Sequence, residues 1–250
     1  MPAIGYTSFL GSPGVTTWTA LVANGVDNIL KEQEGMDSLL LELDPAGSKM
    51  SLLSKLGDSS YINYAADTST NPNWRDHAYQ VPGGGKVISL CGMPEVCNNV
   101  MANSSEKVFE LLANEISTIA SIDLGRLNFH SPVISSIPKL NKLIVFIDRT
   151  NSNIVLSTLN LKAHFDLDIE TEIGWAVIGK TGRGQSNDAI VRYSGIPVVL
   201  EIPNDPNGAA ALFDQPSRWT LQRSSLAKQA YKYAKELVRE FSQLTEVAAA

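Results

Sequence analysis

The sequence predicts an α/β fold, a mostly parallel sheet with helices on both faces. Two observations carry the prediction. Seven short, nearly continuous apolar runs, at 3–9, 38–43, 86–90, 117–123, 143–148, 174–179 and 197–202, alternate with stretches of helical spacing. Runs without an in–out alternation belong to strands buried on both faces, which is the signature of a parallel sheet. The polar and glycine-rich clusters also fall at the carboxyl ends of these runs, where open α/β sheets keep their ligand sites.

The elements follow in order. Residues 3–9 form a strand that ends in a glycine-rich turn, and the spacing of Trp18, Leu21, Val22, Val26, Ile29 and Leu30 predicts a helix from Val15 to about Lys31. The second run closes on Asp44-Pro45-Ala46-Gly47, a turn that places a carboxylate at a strand end. Segments near 104–115, 152–163, 186–194 and 219–246 read as further helices. Residues 57–85, rich in Ser, Asn, Asp, Gly and Pro, lack periodicity and read as a long excursion or partly helical flap of one domain spanning 1–250.

Composition narrows the function classes. A chain of 250 residues with 44% hydrophobic and 18% charged residues builds one substantial core. The formal charge of −6 argues against a broad nucleic-acid-binding face. Cys91 and Cys97 lack metal or redox spacing and read as free thiols, and His77, His130 and His164 show no ligand spacing. Without a leader-like N-terminus or an apolar window of about 20 residues, the expected location is the cytoplasm and no integral membrane segment is expected.

The candidate chemistry sits at residues 11–17, Gly-Ser-Pro-Gly-Val-Thr-Thr. In a phosphate loop, G-x-x-x-x-G-K-[ST], backbone N–H groups cradle phosphates, the lysine neutralises them and the hydroxyl residue holds Mg²⁺. Here Gly14, Thr16 and Thr17 match, whereas Phe9 stands at the first glycine and Val15 at the lysine. Pro13 also removes a backbone donor. The backbone at Gly11, Ser12, Gly14, Val15, Thr16 and Thr17 can still meet an anion, and Thr16 can still offer a metal ligand. Losing charge-assisted contacts of about 1.5–3 kcal/mol each weakens nucleotide binding by one to several orders of magnitude.

Four pieces in order, the loop at 11–17, Glu42-Leu43-Asp44-Pro45, Ser121-Ile122-Asp123-Leu124-Gly125 and Ile202-Pro203-Asn204-Asp205-Pro206, resemble the ParA/MinD family of P-loop ATPases. With Gly-Ser-Pro-Gly-Val-Thr-Thr and Asp123-Leu124-Gly125-Arg126-Leu127, the resemblance is to a divergent, actinobacterial-type branch in which the lysine-less Walker A loop is the usual form. Leu10 replaces the family's signature lysine, which crosses the dimer interface, so any homodimer needs another basis.

The resemblance implies a P-loop NTPase fold and assigns Asp44 to the attacking water or metal shell. It assigns Thr16 and Asp123 to Mg²⁺, if nucleotide binds. With both lysines gone, catalysis by Asp44 is expected to be vestigial, no cofactor is required and Mg-ATP is held weakly. The expected role is a positioning or assembly scaffold with a protein partner, of the kind that relatives beside pilus or secretion components perform. An active Mg-ATPase switch is the alternative, with Arg126, Arg149, Lys180 or Arg183 as substitute cation, and a DNA-partition protein is the second alternative. A terminal helix with its apolar stripe on Leu226, Ala230, Tyr233, Leu237, Phe241 and Leu244 is expected to pack on the sheet rather than on a membrane.

Overall fold

The computed structural model describes residues 2–11, 14–31, 36–44, 60–69, 72–80, 85–115, 117–128, 130–164, 170–179, 182, 184–208 and 224–249, with side chains of the last helix to Gln243. Ser12, Pro13, Pro45, Ala46, Gly47, Lys180 and Arg183, all named above, lie outside them, as do the side chains of His164 and Leu244.

Eight strands form one sheet. In chain order the elements are β1 (Ala3–Ser8), α1 (Val15–Leu30), β2 (Asp37–Glu42), α2 (Ser60–Ala66), α3 (Trp74–His77), β3 (Tyr79–Gln80), β4 (Lys86–Ser89), α4 (Pro94–Ala113) and β5 (Thr118–Arg126). A 3₁₀ helix (Pro132–Lys139) leads to β6 (Lys142–Asp148), α5 (Asn151–His164), β7 (Glu172–Ile178), α6 (Asn187–Ser194), β8 (Val198–Ile202) and α7 (Ser225–Ala249). Across the sheet the order is β3-β4-β2-β5-β1-β6-β7-β8. Every pairing is parallel except the two-residue β3 against β4.

Hydrophobic burial explains why these runs become central strands. All six residues of β1 are buried, as are eight of the nine in β5, so neither strand has a solvated face. On one side α1 and α7 cover the sheet through Ile4, Tyr6, Trp18, Val22, Leu237 and Phe241. The other side is filled by Leu41, Met101, Phe109, Val145, Trp175 and Ile190, contributed by strands and by α4 and α6. Trp18, Trp74 and Trp175 are fully buried. The apolar stripe of α7 likewise turns inward, with Leu226, Ala230, Tyr233, Leu237 and Phe241 all buried. No helix among the described residues is long and apolar enough to cross a membrane.

Two local structures go beyond the sequence expectation. The helix expected near 104–115 starts ten residues earlier, because Pro94 occupies its first turn, where a missing N–H costs nothing. The excursion also holds two short helices, α2 and α3, and the edge strand β3. Arg75 after the Asn73 cap bonds Asp37 and Glu115 and stacks over Trp74 with its Cζ 4.6 Å from the ring centre.

The chain order reverses beside β1. From β1 the chain moves to β2 and β4, returns to β5 between β2 and β1, and then crosses to β6 on the other flank. The carboxyl ends of β1 and β5 therefore border the crevice where such sheets bind ligands.

Candidate functional site

The loop after β1 is shaped by hydrogen bonds and two left-handed glycines, Gly11 at φ 77° and Gly14. Ser8 Oγ donates to the Gly11 carbonyl, and Leu127 N donates to the Ser8 carbonyl at 2.9 Å. Gly14 caps α1 with φ 79° and ψ 22°, a conformation that costs a residue with a Cβ but not glycine. No side chain caps this helix and its first turn holds no acid, so its N–H groups face outward unopposed by negative charge from their own turn.

The two lysine positions are apolar contacts. Val15 is 2% exposed and belongs to the layer among the sheet, α1 and α7, while Leu10 packs on the opposite core beside the buried Phe9. Thr16 and Thr17 are buried at the same turn. Arg126, the exposed last residue of β5, donates from Nε to the Phe9 carbonyl at 3.3 Å, which brings one cation to the edge of the loop.

The acids come in from the neighbouring strands. Strand register sets Asp123 opposite Tyr6 of β1 and Glu42 of β2. Asp123 Oδ1 accepts from Gly125 N at 2.9 Å, and its carbonyl accepts from Leu43 N at 2.7 Å. Asp44 presses on the same turn, for a Cβ on Gly125 would stand 2.3 Å from the Asp44 carboxyl carbon. Gly125 has φ 58° and its carbonyl accepts from Thr7 Oγ1 at 3.0 Å, so β1, β2 and β5 are tied together at this point. Glu42, Asp44 and Asp123 are all buried.

This turn joins Asp44, Asp123 and Thr7, three residues far apart in sequence. Among the described residues, no group of three or more His, Cys, Asp or Glu side chains is arranged to hold a metal ion.

Sequence reasoning left several contacts unseen. Cys97 lies close enough to Asp44 for that carboxylate, after burial and the Cys91 thiol, to push its thiol pKa up. Arg149, one of the candidate substitute cations, is 4% exposed and committed to other acceptors. Its Nη1 donates to the Gln185 carbonyl at 3.0 Å and to Asn187 Oδ1 at 2.9 Å, and its Nη2 meets Glu201 Oε1 at 3.1 Å. Asp205 receives Gly208 N at 2.8 Å and Ser225 N at 2.9 Å, capping α7, a role hinted at by Ser224-Ser225 ahead of its apolar stripe. A cleft of about 140 Å³ between α5 and α6, lined by Asn151, Ile154, Gln185 and Tyr193, is too small for a nucleotide.

Fold, topology and site location define a P-loop NTPase architecture. Comparison with solved structures narrows it to the ParA/MinD form. A ParA family ATPase from Chlorobium tepidum TLS superposes with a TM-score of 0.73 at 16% identity, covering 94% of this chain and 98% of that one. MinD complexed with Mg-ADP from Pyrococcus horikoshii gives 0.72 at 16% identity, with 94% and 95% covered. MinD of the Aquifex aeolicus MinC:MinD cell division complex gives 0.66 at 13% identity, with 95% and 96% covered. At such identities the likeness establishes the fold. No protein-family model and no curated protein sequence matches the chain.

Proposed function

We propose that the chain is a degenerate member of the ParA/MinD family, a cytoplasmic positioning or assembly scaffold whose ATP hydrolysis is weak or absent. The observation that carries the reading is Val15, whose side chain is 2% exposed inside an apolar layer at the position where the family's lysine would meet phosphate. A phosphate group would meet backbone N–H groups there but no lysine, with Glu42, Asp44 and Asp123 buried at the carboxyl ends of the neighbouring strands and Mg²⁺ as the main offset.

The scaffold acts through a protein partner and needs no cofactor. The structural neighbour from Aquifex is in a complex with MinC, which shows that this fold can present a protein-binding surface. A pilus or secretion apparatus is the assembly that the divergent, actinobacterial-type sequence pattern suggests. A homodimer, if formed, does not use a lysine at Leu10.

A second reading, a working Mg-ATP switch, draws on Arg126 at the edge of the loop together with Thr16, Asp44 and Asp123. One experiment separates them. Calorimetric titration with ATP, with and without Mg²⁺, should give no binding tighter than about 1 mM. Binding at about 10 µM or tighter, with phosphate release abolished by Asp44→Ala, would establish the switch and remove the scaffold reading.

A further inference from the structure

The outer side of α7 carries Lys228, Lys232, Lys235 and Arg239, all exposed. Steps of four, three and four residues keep them on one helical face, and they span about 16 Å at 1.5 Å per residue. The opposite face is spent on the core through Leu226, Ala230, Tyr233, Leu237 and Phe241, which fixes the cations outward. Tyr231 lies among them, 43% exposed, with Lys235 Nζ 4.8 Å from its ring centre.

These cations differ from others on the molecule. Lys31, Arg75, Lys86, Lys139, Lys142 and Arg149 each face a carboxylate at 3.2 Å or less. Among the described residues, none of the four on α7 does. Along this half of the helix the acids are Glu236, exposed at the flank, and Glu240, turned to Lys142 at 2.9 Å. Lys228 with Lys232, and Lys235 with Arg239, are like-charge neighbours one turn apart, an arrangement that works against the helix until an anion covers it. The chain as a whole carries a formal charge of −6, so the stripe opposes the sign of its surroundings.

We propose that this stripe is a docking surface for an acidic segment of a protein partner, with carboxylates spread over about 16 Å and Tyr231 as the aromatic contact at its centre. Charge complementarity selects the occupant. A lipid surface fits less well because the apolar side of α7 is already in the core and has nothing to insert. A long polyanion such as duplex DNA would run past the stripe onto an acidic body. The surface goes beyond the scaffold reading and is independent of whether nucleotide binds.

The probe is a fluorescein-labelled oligoglutamate of about twelve residues, long enough to cover the stripe, read by anisotropy with the full chain. Expected results are binding of this peptide but not of oligoglutamine, a loss of at least tenfold in Lys232→Glu/Lys235→Glu, and a comparable loss in Lys228→Gln/Arg239→Gln. Lys162→Glu, an exposed change on α5, should leave binding intact. Raising salt from about 50 to 200 mM should weaken the complex. Phosphatidylglycerol vesicles and random-sequence duplex DNA should not compete. The proposal is overturned by wild-type protein that ignores oligoglutamate, by both double variants binding it as wild type does, or by vesicles or duplex binding more tightly through the same four residues.

Discussion

The loop after β1 and the acidic ends of β2 and β5 border one crevice, yet they have kept different things. On the loop side, Val15 and Leu10, where the sequence resemblance expects lysines, are apolar and packed. On the acid side, Glu42, Asp44 and Asp123 remain, and all are buried. The contrast follows from what holds each side chain. Asp123 is fixed by Gly125 N and Asp44 is wedged against Gly125, contacts that exist with or without ligand. Val15 is held by packing instead, in the layer it shares with the sheet, α1 and α7.

The largest expected effect tests the acid side. Gly125→Ala places a Cβ at φ 58° and 2.3 Å from the Asp44 carboxyl carbon. It should cost about 2–5 kcal/mol, combining left-handed strain with overpacking. Urea unfolding measures it, and a loss below about 1 kcal/mol would show that the turn is loose and the comparison overstated.

Next comes the loop side. Val15→Lys should destabilise by about 2 kcal/mol, since the ammonium enters an apolar layer, while Mg-ATP binding stays weak. The combination Leu10→Lys, Pro13→Val and Val15→Lys should bind Mg-ATP better than any of its single changes, because the three act on one phosphate group. Calorimetry on the four variants decides this. A stable Val15→Lys protein that binds as tightly as the triple would mean that the lysine pocket had survived intact.

The smallest effect lies away from the crevice and sets the baseline for carboxylates held by ordinary capping. Asp205→Ala should cost about 1 kcal/mol by uncapping α7. Hydrogen bonds from Gly208 N, Ser224, Leu226 N and Ser225 hold the Asp205 carboxyl down at about 2. Ser69 N and His77 hold Asp67 down at about 2 as well. Both pKa values are depressed, so their stabilisation is present above the ordinary carboxylate pKa of about 4 and is lost as pH falls through about 2. Acid titration of Asp205→Ala followed by circular dichroism should show a shallower loss between those values than wild type shows.

The sheet was legible because its strands are apolar throughout, and a buried parallel strand needs nothing else to be recognised. β3 was not, since two residues carry no period. The first half of α4, Pro94-Glu95-Val96-Cys97-Asn98-Asn99, reads as a turn in isolation and is helical because Cys97 and Met101 reach the core. At the site, the phosphate-loop outline and the two aspartates could be read from local spacing. The contact of Asp44 with Gly125 could not, since it joins residues from different strand ends, and neither could the burial of Arg149, whose acceptors lie 30 to 52 residues away.

Arg149 also bears on how this sheet ends. Its guanidinium, at 4% exposure, takes acceptors from the segments after β7 and from β8 itself, and its own carbonyl accepts from Gln185 N at 2.9 Å. Peeling β8 from the edge would leave that charge buried and short of a partner, a state more costly than the few ladder bonds broken. The last three strands are therefore expected to open together, with their amides exchanging against solvent deuterium as one set.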